Sequence, residues 1–184
     1  MPTTTIAEET SAPGEDGAWS GYAPESERPP LGTYAVLSSG FVAALVAFVL
    51  ARRRSDEDLP EIISTRDLAL VGAASFKLSR LLTREKVAAF IRAPFTEYQG
   101  KGEAPGEVDE KARGTGPRAA IGQLLTCPYC IGMWIVSVFT VGLVTAPRET
   151  RFVTSLLSAL GLSDFLQLGY HSAVARREPP QTGS

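Results

Sequence analysis

The sequence predicts an all-α protein: a multi-pass helical membrane protein of three to four apolar helices, with a disordered N-terminal tail and a flexible central loop. Three observations carry that expectation. Apolar residues are gathered into blocks close to the length of a hydrocarbon core, instead of recurring with amphipathic periods. Glycines and prolines fall between the blocks. Arginines follow some block ends at once, as at Arg52-Arg53-Arg54 and Arg176-Arg177.

The chain has 184 residues and a formal charge of −2, with acids concentrated in the N-terminal tail and bases in the central segments. A global charge near zero therefore says little about partners, and no basic stripe marks a nucleic-acid surface. The two cysteines, Cys127 and Cys130, cannot build a multi-bridge secreted scaffold. A lone pair of this spacing points to redox chemistry, a metal or local structure.

Residues 1–33 carry Glu8, Glu9, Glu15, Asp16, Glu25 and Glu27 against one base, Arg28, with prolines that interrupt any helix. Such a segment cannot bury enough apolar area to order itself, although Trp19 and Tyr22 could anchor a partner. It also lacks the basic start and early apolar run of a signal peptide. Residues 34–54 form the first transmembrane helix, an uncharged run closed by three arginines. Residues 55–65 are a linker.

The membrane domain is expected over 66–173. Ser64 and Asp67 look like a helix start, and with no proline before Pro94 one helix could span 66–93, roughly 42 Å. Lys77, Arg80 and Arg84 lie at helical spacing on it. They either snorkel to lipid phosphates or pair with an acid inside the protein, because bare charge at mid-bilayer is costly. Residues 94–123, rich in glycine and mixed charge, read as a mobile loop. A helical hairpin follows over 127–173, turning near Glu149, and residues 174–184 form a polar tail. Asp164, Gln167 and His171 share one face of the last helix, with Asp164 and Gln167 expected as an interhelical bonding pair.

Lysine and arginine counts discriminate three topologies. If the first helix runs outward to inward and all four blocks cross, six bases lie inside and ten outside. If block 68–82 lies along the cytoplasmic face, thirteen lie inside and three outside. If four blocks cross with the N-terminus inside, ten lie inside and six outside. The two better arrangements put Cys127, Cys130 and the C-terminus in the cytoplasm, where a dithiol is kept reduced. A hairpin turning near Glu149 would bring His171 level with Cys127. Cys127, Cys130 and His171 are then three candidate zinc ligands, lacking a fourth.

Phe76-Lys77-Leu78-Ser79-Arg80-Leu81-Leu82-Thr83, Ile91-Arg92-Ala93-Pro94-Phe95 and Leu124-Leu125-Thr126-Cys127-Pro128-Tyr129-Cys130-Ile131-Gly132-Met133-Trp134 occur in that order. In these blocks the chain resembles a bacterial membrane-protein family catalogued as domain of unknown function 1360, over roughly 68–173. Lys77 stands where that family usually has Arg, and Met133 where Phe is common. The resemblance implies a multi-pass membrane protein and supplies no mechanism.

Cys-Pro-Tyr-Cys by itself spells a glutaredoxin dithiol, but that fold needs strands around it, and apolar helices follow instead. The local geometry remains: Cys127 as cap, Pro128 as first helical residue, Cys130 one turn in. The alternative is a helix start whose small sulfurs and Gly132 allow close helix packing. The leading expectation is a non-catalytic scaffold or interaction subunit, with helix 66–93 along or in the cytoplasmic face. It implies a lipid bilayer, a protein partner or a homo-oligomer, no nucleic acid and no cofactor. The alternatives are a membrane thiol-disulfide oxidoreductase using Cys127 and Cys130, and a zinc-stabilised bundle.

Overall fold

A computed structural model describes residues 22–23, 29–55 and 59–176. Most of the acidic tail, Trp19 included, and the C-terminal tail from 177 lie outside the described residues. In chain order come α1 (Leu31–Arg54), α2 (Thr65–Thr83), a 3-10 turn (Lys86–Ala88), α3 (Ala89–Arg92), β1 (Thr96–Lys101), β2 (Val108–Ala112), α4 (Gly116–Thr126), α5 (Pro128–Thr145) and α6 (Pro147–Ala175). The protein is mostly helical, with one small two-stranded sheet. Three helices, α1, α5 and α6, are long and apolar enough to cross a membrane.

The centre is a three-helix arrangement of α2, α5 and α6. Val71 and Ala74 of α2 meet Ile131, Ile135 and Phe139 of α5 in its apolar core, with Leu157 of α6 against it. Asp67 meets Arg151, Leu70 meets Ser158 and Lys77 meets Asp164, so α2 and α6 run parallel. Small residues permit the approach: Ala74 is fully buried, and a side chain at Gly161 would already touch Lys77. Helix α2 therefore packs lengthwise against α5 and α6.

The start of α2 is as expected, with the Asp67 amide donating to Ser64 Oγ at 3.1 Å. Its end is not. The expected single helix 66–93 stops at Thr83, because the next backbone groups are taken by a distant partner. Val108 N–H donates to the Arg84 carbonyl and Lys86 N–H to the Gly106 carbonyl. The chain then restarts as the 3-10 turn and α3.

The expected mobile loop over 94–123 is instead a folded module. β1 and β2 pair antiparallel, with a register irregularity between Tyr98 and Gly100. Gly106 turns the chain at φ +84°, a conformation that side-chain-bearing residues avoid. Helix α4, with a proline in its first turn, lies on the hairpin. Gly122 makes that possible, since a Cβ there would fall 2.5 Å from the Phe95 carbonyl oxygen. The glycines that read as looseness are turn and packing positions.

Candidate functional site

The polar side chains of the bundle converge where α2 ends, α6 passes and the hairpin folds back. Lys77 is the centre. Its side chain is 8% exposed, and its ammonium donates to Asp164 Oδ2 of α6 at 2.7 Å and to Glu85 Oε1 of the segment after α2. Arg80, one turn later, pairs with Glu107 at the start of the hairpin's second strand region. Arg84 reaches Asp109 at 3.2 Å. The cationic stripe thus pairs with acids, the second of its two sequence readings.

A second ion pair fastens the module itself. Arg92, with no exposed side-chain surface, grips Glu110 of β2 through two bonds, Nε to Oε2 at 2.8 Å and Nη2 to Oε1 at 3.0 Å. Nη1 donates to the carbonyls of Leu82 and Glu85, capping the end of α2. Thr96 Oγ1 donates to Glu110 Oε2 at 2.8 Å. Two-point, charge-assisted bonding of this kind sets orientation as well as strength. At the opposite end of α2, Asp67 accepts two bonds from Arg151, at 2.9 and 2.8 Å.

Around Lys77 lies a pouch of about 410 Å³, walled by Phe76 and Arg80 of α2, the turn at Ala104–Glu107, and Asp164 and Phe165 of α6. Phe76 stacks on Phe165 with centroids 5.5 Å apart. Gln167 and His171 stand at its exposed rim. Of the expected pair, Asp164 does bond between helices, whereas Gln167 bonds Ser163 of its own helix at 3.4 Å.

The cysteines sit elsewhere. Cys127 caps α5, its sulfur accepting from the Cys130 amide at 3.2 Å, and Pro128 opens the helix as expected. The two form a disulfide with Cα atoms 5.3 Å apart, where the sequence reading favoured a free dithiol. Cys130 and Tyr129 are exposed, and a shallow cleft of about 270 Å³ between α2 and α5 begins beside them. Gly132 opens onto that cleft, and a side chain there would meet nothing within 4 Å. Its expected role in close helix packing is therefore not what the structure shows.

The zinc trio is not assembled. The hairpin turns at Ala146, with Gly142 against Thr150, and not near Glu149. That shorter register carries His171 past the end of α5, away from the level of Cys127. Among the described residues no three His, Cys, Asp or Glu side chains group as metal ligands.

The elements that build both the Lys77 pouch and the Cys127 cap, α2 through α6, coincide with the match to a family described as "Protein of unknown function (DUF1360)", over residues 70–170. The chain belongs to this family. DUF1360 relatives include "Sporulation protein YjcA" of Bacillus subtilis (strain 168), 30% identical over 108 residues, which cover 58% of this chain and 92% of that protein. "UPF0713 protein YngL" of the same organism is 30% identical over 94 residues, 51% of this chain and 70% of the relative. No solved structure matches. The DUF1360 region excludes α1, which this chain carries in addition.

Sequence reasoning singled out Lys77, Arg80, Asp164, Gln167, Cys127, Cys130 and His171, and the structure brings the first three together with Glu85 and Glu107. It missed Glu85, Glu107 and the Arg92–Glu110 pair. The available signal was the Ile91-Arg92-Ala93-Pro94-Phe95 block, whose arginine has no visible partner until the hairpin forms.

Proposed function

We propose that this DUF1360 protein is a non-catalytic integral membrane protein, a scaffold or interaction subunit that presents the hairpin and α4 as a rigid module. The carrying observation is that Lys77, Arg80 and Arg92 each pair with an acid from another element. Charges neutralised in this way fasten parts together and leave little for acid–base turnover. Helix α2, 19 residues or about 28 Å long, is taken to cross the bilayer beside α5 and α6.

With four crossings and the N-terminus inside, Arg52, Arg53, Arg54, Arg66, Arg148 and Arg151 lie outside and the ten bases of the tails and module inside. This orientation puts the module, Cys127 and the C-terminus in the cytoplasm, whose reductants are expected to open the Cys127–Cys130 disulfide. Labelling of Cys127 and Cys130 after reduction tests it: reaction only in permeabilised cells is expected, and reaction in intact cells reverses it. For the scaffold role, a chain carrying Cys127→Ser and Cys130→Ser is expected to accumulate in membranes and to complement a deletion strain. Where the host forms spores, as the relative's name invites, spore yield is a suitable score. Normal accumulation with lost complementation would overturn a non-catalytic role.

The accessible disulfide favours a second reading, thiol-disulfide exchange. Cys127 thiolate attacks a partner's disulfide and forms a mixed disulfide, releasing one partner thiolate. Cys130 thiolate then displaces the second, leaving Cys127–Cys130 oxidised and the partner reduced, with a dithiol reductant required for the next cycle. Alkylation of the reduced chain across pH decides it: a Cys127 no more reactive at neutral pH than an ordinary thiol removes this reading.

A further inference from the structure

We infer that the segment after α2 is a lipid-facing foot of the module, whose partner is the headgroup layer of an anionic bilayer. The 3-10 turn and α3 place Val87, Phe90 and Ile91 on one face, at helical spacings of three and four. They are 71%, 76% and 42% exposed, whereas Ala88 between them and Val108 of β2 are buried. Tyr98 of β1, 64% exposed, lines a shallow groove together with Phe90, Lys86 and Glu110. Phe90 and Tyr98 on one groove, with Val87 and Ile91 exposed on the same short segment as Phe90, would be a liability in water.

Three features select lipid as the occupant. The patch begins three residues after Arg84, the first residue beyond α2, so it lies where that helix leaves the hydrocarbon core. Its polar edge carries the exposed ammonium of Lys86, which suits a phosphate group. Its composition, an aromatic pair with exposed aliphatic neighbours, suits the boundary between headgroups and acyl chains. The foot would fix the tilt and depth of the module. It rests on the reading that α2 crosses beside α5 and α6.

The test uses the full chain in vesicles of anionic phospholipid brominated on the acyl chains. Trp19→Phe leaves Trp134, inside α5, as the reference fluorophore. Trp19→Phe with Trp134→Phe and Phe90→Trp reports on the foot, and Tyr98→Trp in the same background is a second, independent reporter. Bromolipid is expected to quench both foot reporters by roughly half or more, as for rings held about 5–10 Å into the interface. Blue-shifted emission without quenching would mean that a second copy or another protein covers the patch, and overturns the proposal. Red-shifted emission quenched by iodide would mean water, and overturns it too. An unquenched Trp134 would instead defeat the membrane-spanning reading itself.

Discussion

Helices α1 and α2 are built on opposite plans, and their difference explains how this protein is organised. α1 has 24 residues, no Asp, Glu, Lys or Arg before its terminal arginines and not one buried residue. It touches the bundle through Phe41, whose ring meets Trp134 edge-on at 4.9 Å, and at α4. α2 has 19 residues, carries Arg66, Asp67, Lys77 and Arg80, and buries seven. Every other described helix of the family region packs against it. In a bilayer, apolarity reports contact with lipid, whereas polar and small residues report contact with protein. The more apolar of the two helices contributes least to the fold, and the charged α2 contributes most.

Substitutions can break that contrast. The largest effect is expected for Arg92→Ala, which strands a 6%-exposed Glu110 and uncaps α2. It should cost about 3–5 kcal/mol, read as a lower thermal midpoint in detergent and faster proteolysis within 94–123. Lys77→Ala is next, at about 2–3 kcal/mol, because Asp164 and Glu85 keep some access to solvent. Lys77→Arg, which keeps a cation between Asp164 and Glu85, should retain most of it. Gly122→Ala forces α4 off the Phe95 carbonyl and should cost about 1–3 kcal/mol, with release of the hairpin seen by amide exchange. Arg151→Ala removes a pair whose arginine is 54% exposed and solvent-screened, so it should lower the midpoint less than Gly122→Ala does. Val46→Leu on α1 should change the midpoint by no more than about 0.5 kcal/mol. A Val46 effect as large as that of Lys77 would erase the distinction between the two helices.

Helices α1, α5 and α6 were legible because length and composition suffice for them. Ser64 marked the start of α2 and Cys127-Pro128 the start of α5, through local capping that needs no partner. The central module was not legible. Gly100, Gly102 and Gly106 are a bulge, a close approach and a turn, yet in a sequence they are indistinguishable from a mobile loop. The end of α2 was hidden for a related reason. Nothing in Arg84-Glu85-Lys86 stops a helix, and the hydrogen bonds that do so come from Gly106 and Val108. The zinc trio failed on a displacement of the hairpin turn from Glu149 to Ala146, small in sequence but a difference of nearly two helical turns between facing residues.

The sequence by itself determined that apolar helices dominate this protein, which family it resembles, and that Lys77, Arg80 and Asp164 need partners in an apolar setting. Those are consequences of composition and local periodicity, and they hold whatever the chain packs against. Only the tertiary structure decided which acid each base receives, that residues 94–126 fold as a module, and that the cysteines and His171 sit apart. Each of these depends on contacts between residues far apart in the chain, whose geometry local propensity does not encode.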